Sequence, residues 1–220
     1  MTASFTGRIG GPLVVLDADS TLIREEAIEL LAEAAGSLPL VAEVTERAMR
    51  GELDFAASLR ERVATLAGLG LADLAHARTR MTPTTGIREL VAGVHAVGGV
   101  VGVVSGGFHE LLDPLADELG LDFCRANRLE IVDGRLTGLV DGPIIDAEAK
   151  AVALEEWAAA ASVPLRNTVA VGDGANDLRM LAKAGLGVAF CAKPVVREQA
   201  DVAITTPDLS QVLALLGLRG

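Results

Sequence analysis

The chain has no tyrosine, one tryptophan and five phenylalanines, so aromatics are only 3% of its 220 residues. Its core must therefore be built from alanine, valine, leucine and isoleucine, the composition of buried parallel strands covered by helices. Half of the residues are hydrophobic, and at this length folding buries roughly 70% of the unfolded surface, enough for a core without staples. Cysteine is scarce too. Cys124 and Cys191 lie far apart, without a paired spacing and among apolar neighbours, which predicts buried free thiols and a reducing compartment, the cytoplasm. Basic residues are in deficit: 19 Lys and Arg face 30 Asp and Glu, a net charge of −11. Such a surface does not neutralise nucleic-acid phosphates or dock on anionic lipid, so neither nucleic acid nor membrane is an expected partner. Long apolar runs are missing, and none approaches the roughly 18 residues of a membrane span. The opening segment, residues 1–19, has one Arg and a short apolar stretch ending in acids, and it reads as a loop entering a strand with no secretory leader.

What is present is a series of short apolar runs: Leu13–Leu16, Val100–Val104, Thr168–Val171, Leu186–Phe190 and Val202–Ile204, each bounded by Gly, Asp or Ser. Alternating with amphipathic stretches, they predict βαβ units in an open parallel sheet. More than 80 residues separate the first two runs, too many for one crossover helix. The segment from Ile23 to Met81 is helical by pattern, with Gly or Pro between its pieces, and Pro83 disfavours continuing a helix. Residues 23–81 are therefore expected to form a small helical cap domain, and residues 1–22 with 82–220 the α/β core, with Thr85–Val97 as crossover helix. A second departure lies at Asn127–Ile145, where Asp133-Gly134 between two strand-like runs predicts a β-hairpin.

Chemistry-bearing residues gather at the ends of these runs. The first ends in Asp17-Ala18-Asp19-Ser20-Thr21, placing two carboxylates where ligands bind in open α/β sheets; acids that merely cap the following segment are the plain alternative. The second ends in Ser105-Gly106-Gly107 before a helical pattern, an arrangement that suits an anion at a helix N-terminus or an ordinary N-cap. Lys150 stands near the start of a helix, mildly unfavourable against the helix dipole unless an anion is near; a solvated lysine is the other reading. The next strand end is Gly172-Asp173-Gly174-Ala175-Asn176-Asp177, whose Asn176 and Asp177 could also cap a helix. There is no His or Cys cluster, since His76, His95 and His109 are scattered. A cation held here would be hard and oxygen-ligated, which suits Mg2+.

In the chain order DADST, SGG, Lys150 and GDGAND, the sequence resembles the haloacid-dehalogenase-like phosphohydrolases, whose four motifs these match. The resemblance covers nearly all of residues 13 to 205. The segments RAMRGELDFAASLRERVATLAGL and ANRLEIVDGRLTGLVDG are similar to members that dephosphorylate O-phospho-L-serine. Ala18 departs from the pattern, where a bulkier apolar residue is commoner, and altered packing with intact chemistry is expected. The resemblance implies a Rossmann-like, doubly wound, mainly parallel sheet with an inserted helical cap and a β-hairpin. It implies Asp17 as nucleophile forming an aspartyl phosphate, and Asp19 as general acid and then base. Lys150, Ser105, Gly106 and Asn176 become phosphate contacts. Mg2+ is expected on the carboxylates of Asp17 and Asp173 and the carbonyl of Asp19, with Asp177 behind them. Glu26 is expected to meet a substrate ammonium and Arg62 its carboxylate, with Met49 and Phe55 shielding the site. In plain structural terms Glu26 is a first-turn helix acid, Arg62 a partner for a neighbouring Glu, and Met49 and Phe55 packing residues. The expected activity is O-phospho-L-serine hydrolysis, the last step of serine biosynthesis, by a monomer or homodimer. The alternative is a related phosphatase or phosphotransferase acting on another small phosphomonoester, such as phosphothreonine or homoserine phosphate.

Overall fold

The structure is a computed structural model and describes residues 10–218; part of the expectation for the opening segment falls on residues 1–9, outside the described residues. Strands β1 (Leu13–Leu16), β2 (Val100–Phe108), β3 (Phe123–Val132), β4 (Arg135–Asp141), β5 (Thr168–Gly172), β6 (Leu186–Phe190) and β7 (Val202–Ile204) form one sheet in the order β4-β3-β2-β1-β5-β6-β7. All neighbours are parallel except β3 and β4, the hairpin expected around Asp133-Gly134. From β1 the chain winds first towards β2 and β3, then returns to β5 on the other side. The resulting crevice at the carboxyl ends of β1 and β5 is where open sheets of this kind hold ligands.

Alternation along β1 explains the two-sided core. Val14 and Leu16 pack with Val91, Val94 and Leu213 on one face, while Leu13 and Val15 pack with Leu154, Trp157 and Met180 on the other. The single tryptophan is used once and fully: its ring stacks on Phe123 with centroids 5.2 Å apart, and the Arg125 guanidinium lies 5.6 Å over it. Helix α5 (Ile87–Ala96) is the crossover expected at Thr85–Val97, and α6 (His109–Leu119) joins β2 to β3.

Between β1 and α5 lie the inserted helices α1 (Ala27–Ala35), α2 (Leu38–Met49), α3 (Phe55–Ala64) and α4 (Leu71–Thr79). They bury Leu31, Leu59, Val63 and Leu74 against Phe108, Leu111, Leu129 and Leu136, so the insertion rests on α6 and the hairpin. Entry and exit run side by side, with Arg24 N–H donating to the Thr82 carbonyl at 3.1 Å and Thr84 N–H to that of Leu22 at 2.9 Å. After the hairpin come α7 (Ala147–Ala160), α8 (Leu178–Lys183), the short α9 (Pro194–Arg197) and α10 (Gln211–Leu215). Among the described residues no helix is long and apolar enough to cross a membrane.

Two expectations fail. Ser105-Gly106-Gly107 does not open a helix. Strand β2 runs on to Phe108, its pairing with β3 shifting register between Val104 and Phe108, and α6 starts only at His109. Nor are both thiols buried. Cys191 is exposed and Cys124 half-buried, because the apolar run before Cys191 ends as its chain leaves β6 at φ 47°.

Candidate active site

Asp17 is the first residue beyond β1, and its N–H still donates to the Val171 carbonyl at 2.9 Å. The chain then turns tightly through Ala18–Leu22, with Ser20 at φ 55°. This reversal keeps Asp17 and Asp19 at the mouth of the sheet. Asp17 is buried, and one oxygen, Oδ1, accepts from Ala18 N–H at 2.7 Å and pairs with Lys150 Nζ at 2.7 Å. Asp19 Oδ1 accepts from Ala27 N–H at the start of α1, 2.9 Å away.

Lys150 reaches this point because α7 is capped by Asp146, whose side chain accepts from Ala149 N–H at 2.9 Å, setting the first turn against the sheet. It is 1% exposed, far from the solvated lysine that sequence statistics favour. Its ammonium lies 2.7 Å from Asp17 and 2.8 Å from Asp177. Burial alone lowers a lysine pKa, but the two carboxylates outweigh it and hold Lys150 charged, above its ordinary value.

Asp177 is buried, with Oδ1 on Lys150 and Oδ2 accepting from Gly174 N–H at 3.0 Å. It packs so closely on Gly172 that a Cβ there would sit 2.4 Å from its Oδ2, so only glycine admits this carboxylate. Asp173 comes off the end of β5 beside it. Oxygens of Asp17, Asp173 and Asp177 lie within 4.8 Å of one another. Three carboxylates facing one ammonium leave an excess of buried negative charge, and all donors are oxygens, so a hard divalent cation fits the set. Both oxygens of Asp177 are already engaged, which leaves Asp17 and Asp173 as the freer donors.

With no cation present, burial raises all three acids. Burial pushes Asp17 well above its ordinary value, with Asp177 adding and Lys150 opposing. Asp19 is raised to about 7, first by burial and then by Glu26, and Asp173 to about 6, by burial and Asp177. Around neutral pH Asp19 can hold a proton and release it, the property that proton transfer in both directions requires.

Ser105 is fully buried, and its Oγ accepts from Gly107 N–H at 2.8 Å, leaving the hydroxyl proton free to donate. Asn127 was not singled out by sequence. Its buried side chain donates from Nδ2 to the Gly106 carbonyl and accepts at Oδ1 from Ile145 N–H, both at 2.8 Å, tying the Ser105–Gly107 segment to the loop before α7. Both bonds bridge distant parts of the chain, and no local pattern signals them.

These groups open on a cavity of about 150 Å³ whose walls include Asp17, Asp19, Asp173 and Asn176 from the sheet and Glu26, Phe55 and Arg62 from the insertion. That is well below the roughly 300–1,000 Å³ of pockets for drug-sized molecules, so the ligand is small. Phe55 closes over Gly106, where a Cβ would lie 3.0 Å from its ring. Ile28 and Leu59 also line the cavity. Leu59 could have been found, because residues 55, 59 and 62 share one helical face. Ser105, Lys150 and Asp177 stand behind the wall. Met49 is the exception, 74% exposed at the end of α2 and not on the cavity wall. Arg62 makes no ion pair among the described residues; its Nε donates to the Ser58 carbonyl at 3.3 Å. The plain reading of it as a partner for a neighbouring Glu therefore does not hold.

A parallel doubly wound sheet with acids at the ends of β1 and β5, a buried lysine between them and a helical insertion over the opening defines the class. The chain belongs to the haloacid dehalogenase-like hydrolases, whose family profile matches residues 14–182. Within that class it is similar to phosphoserine phosphatases. It is 53% identical to the phosphoserine phosphatase of Streptococcus thermophilus, over 93% of this chain and 95% of that protein. It is 59% identical to that of Streptomyces coelicolor over 94% of this chain, but spans only 50% of that longer protein. A solved phosphoserine phosphatase holding an analogue of the phospho-aspartyl intermediate superposes with a TM-score of 0.87 and 44% identity, over 94% of this chain and 99% of that one.

Proposed function

We propose that this chain is a phosphoserine phosphatase that hydrolyses O-phospho-L-serine to L-serine and phosphate through an aspartyl phosphate on Asp17. The observation that carries this reading is one small cavity in which Asp17 and Asp19 face Glu26 and Arg62. The first pair handles a phosphoryl group, and the second offers opposite charges to a zwitterion. The helical insertion 23–81 acts as the cap that brings the second pair to the first.

A carboxylate oxygen of Asp17 attacks phosphorus as the bond from phosphorus to the serine oxygen breaks, and protonated Asp19 donates its proton to that oxygen. Serine leaves and the phosphoryl group stays on Asp17. Asp19, now a carboxylate, takes a proton from the water that attacks the acyl phosphate, releasing phosphate and restoring both acids. Lys150 keeps Asp17 oriented and supplies positive charge beside the transferring oxygens. The Ser105 hydroxyl, the Gly106 N–H and Asn176 supply donors around them. Asp17 and Asp173, with the Asp19 carbonyl, would hold Mg2+, whose charge offsets that of the phosphoryl group when bound. Every group comes from one chain, so one copy suffices, and the free thiols suit a cytoplasmic enzyme.

The test is phosphate release from L-phosphoserine, phosphoethanolamine, a sugar phosphate and an aryl phosphate, each with magnesium and with chelator. A magnesium-dependent preference for L-phosphoserine of about tenfold or more is expected, about 1.4 kcal/mol of transition-state discrimination. Replacing Arg62 by alanine should erase that preference while sparing the aryl phosphate. Turnover of another substrate alone would overturn the assignment of Glu26 and Arg62, and no turnover of any would overturn the hydrolase.

A further inference from the structure

Glu26 and Arg62 line the same cavity, yet no ion pair joins them within 4.0 Å among the described residues. Two long, oppositely charged side chains sharing a partly desolvated space attract each other, and their pairing would fill the slot a zwitterion needs. Each is instead held by a neutral partner on its own side. Arg62 Nε donates to the Ser58 carbonyl one turn back on α3, at 3.3 Å. The Ser20 hydroxyl donates to Glu26 Oε1 at 2.8 Å. Glu26 precedes α1 with extended backbone, φ −94° and ψ 117°, so its side chain is not fixed by a helical turn and depends on such a tether.

The backbone at Ser20 makes the tether informative. Its φ of 55° and ψ of 8° lie in the left-handed region, which L residues rarely adopt and glycine enters without strain. A turn needing only this geometry is best served by glycine. Serine adds a hydroxyl, and that hydroxyl is spent on Glu26. The backbone link from the same residue, Ser20 N–H to the Glu25 carbonyl, is a long 3.4 Å, and the shorter bond from Ala27 N–H to Asp19 Oδ1 holds α1 without touching the Glu26 side chain.

We infer that Ser20 is a specificity-positioning residue: by anchoring Glu26 Oε1 it keeps Glu26 from collapsing onto Arg62 and leaves Oε2 to receive the substrate ammonium. Ser20 touches neither the phosphoryl group nor the leaving oxygen in this role, and acts through Glu26. The inference rests on the proposed reading of Glu26 as the ammonium contact.

The experiment compares Ser20→Gly and Glu26→Gln with the parent chain on L-phosphoserine, phosphoethanolamine and glycerol phosphate, with magnesium present and thermal unfolding recorded for each protein. Glycine suits the backbone, so Ser20→Gly should fold. Its KM for the two amino substrates should rise about tenfold, the scale of one hydrogen bond to a charged group, with a smaller change in kcat. The kcat/KM ratio of phosphoserine to glycerol phosphate should fall by a similar factor. If Glu26→Gln lowers that ratio and Ser20→Gly does not, the tether is refuted while the reading of Glu26 stands. If Ser20→Gly depresses all three substrates equally, Ser20 serves the core turn and the inference is overturned. If neither variant changes the ratio, the reading of Glu26 falls and the inference with it.

Discussion

Lys150 shows how much one side chain can carry. A buried ammonium between Asp17 and Asp177 offsets charge that would otherwise stand desolvated. Replacing Asp17 by asparagine keeps an oxygen acceptor for Lys150 and removes the proposed nucleophile. The variant should fold and lose phosphate release by at least about a thousandfold, because groups that act as a unit fail together. Single-turnover assays check this, and unchanged release would remove Asp17 from its role. The thiols give a second test at this scale. Burial pushes the Cys124 thiol up to about 12, with Asp113 adding to it, so almost no thiolate exists at pH 8. Cys191 is exposed and so open to reagent, although burial and Asp173 raise its thiol above the ordinary value. A chromogenic disulfide reagent should therefore titrate one thiol in the native protein and a second only in denaturant. Rapid native reaction of both would contradict the packing around Cys124. In sequence the two cysteines looked alike, since apolar neighbours do not reveal where a strand stops.

Among the elements, the site depends on segments being held to one another. Asn127 on β3 joins the Ser105–Gly107 end of β2 to the loop before α7 through two bonds of 2.8 Å. Asn127→Ala should strand a carbonyl and an N–H in a buried place, at about 1–3 kcal/mol of stability. Urea unfolding measures this, and a loss under about 0.5 kcal/mol would mean that water or the neighbouring backbone replaces both bonds. The strands and inserted helices were legible through local signals: runs of Val, Leu and Ile for β1, β2 and β5, 3.6-residue periodicity in α1 and α2, and Gly or Pro breaks between the inserted helices. The conformation of Ser105-Gly106-Gly107 was not legible. Whether two glycines open a helix or a bulged strand depends on what pairs beside them, and here β3 does. Met49 belongs to the same class of miss, since the end of α2 on the insertion decides its exposure.

At the scale of the whole molecule, acids converging from β1 and β5 set how stability responds to pH and metal. Asp19 at about 7 and Asp173 at about 6 both bind protons more tightly when folded than the unfolded reference near 4. Their contribution is fully present below that reference and is lost as pH rises through the folded values. Chelator-treated protein should therefore lose stability between about pH 5 and pH 8, following the excess protons bound by the native state. Magnesium should restore it at the upper end, by about 2.7 kcal/mol at a hundred times its dissociation constant. Thermal unfolding at both pH values, with and without magnesium, provides the measurement. A metal-free protein that is more stable at pH 8 would show that these carboxyls are not desolvated as described.

The sequence alone pointed to the α/β class and the helical insertion through periodicity, and the resemblance carried by its strand-end motifs singled out the acids, Lys150 and Ser105, because both are local properties. Its net charge of −11 and lack of a basic stripe also spoke against nucleic acid and anionic lipid as partners. Only the tertiary structure decided that Lys150 is buried between two carboxylates, that Asn127 clamps the site, that Glu26 and Arg62 face one cavity without pairing, and that Cys191 is exposed. The first two depend on which distant segments the sheet order brings within about 3 Å of one another, and the last two on where the packed segments leave open space, both set across the fold and not along the chain.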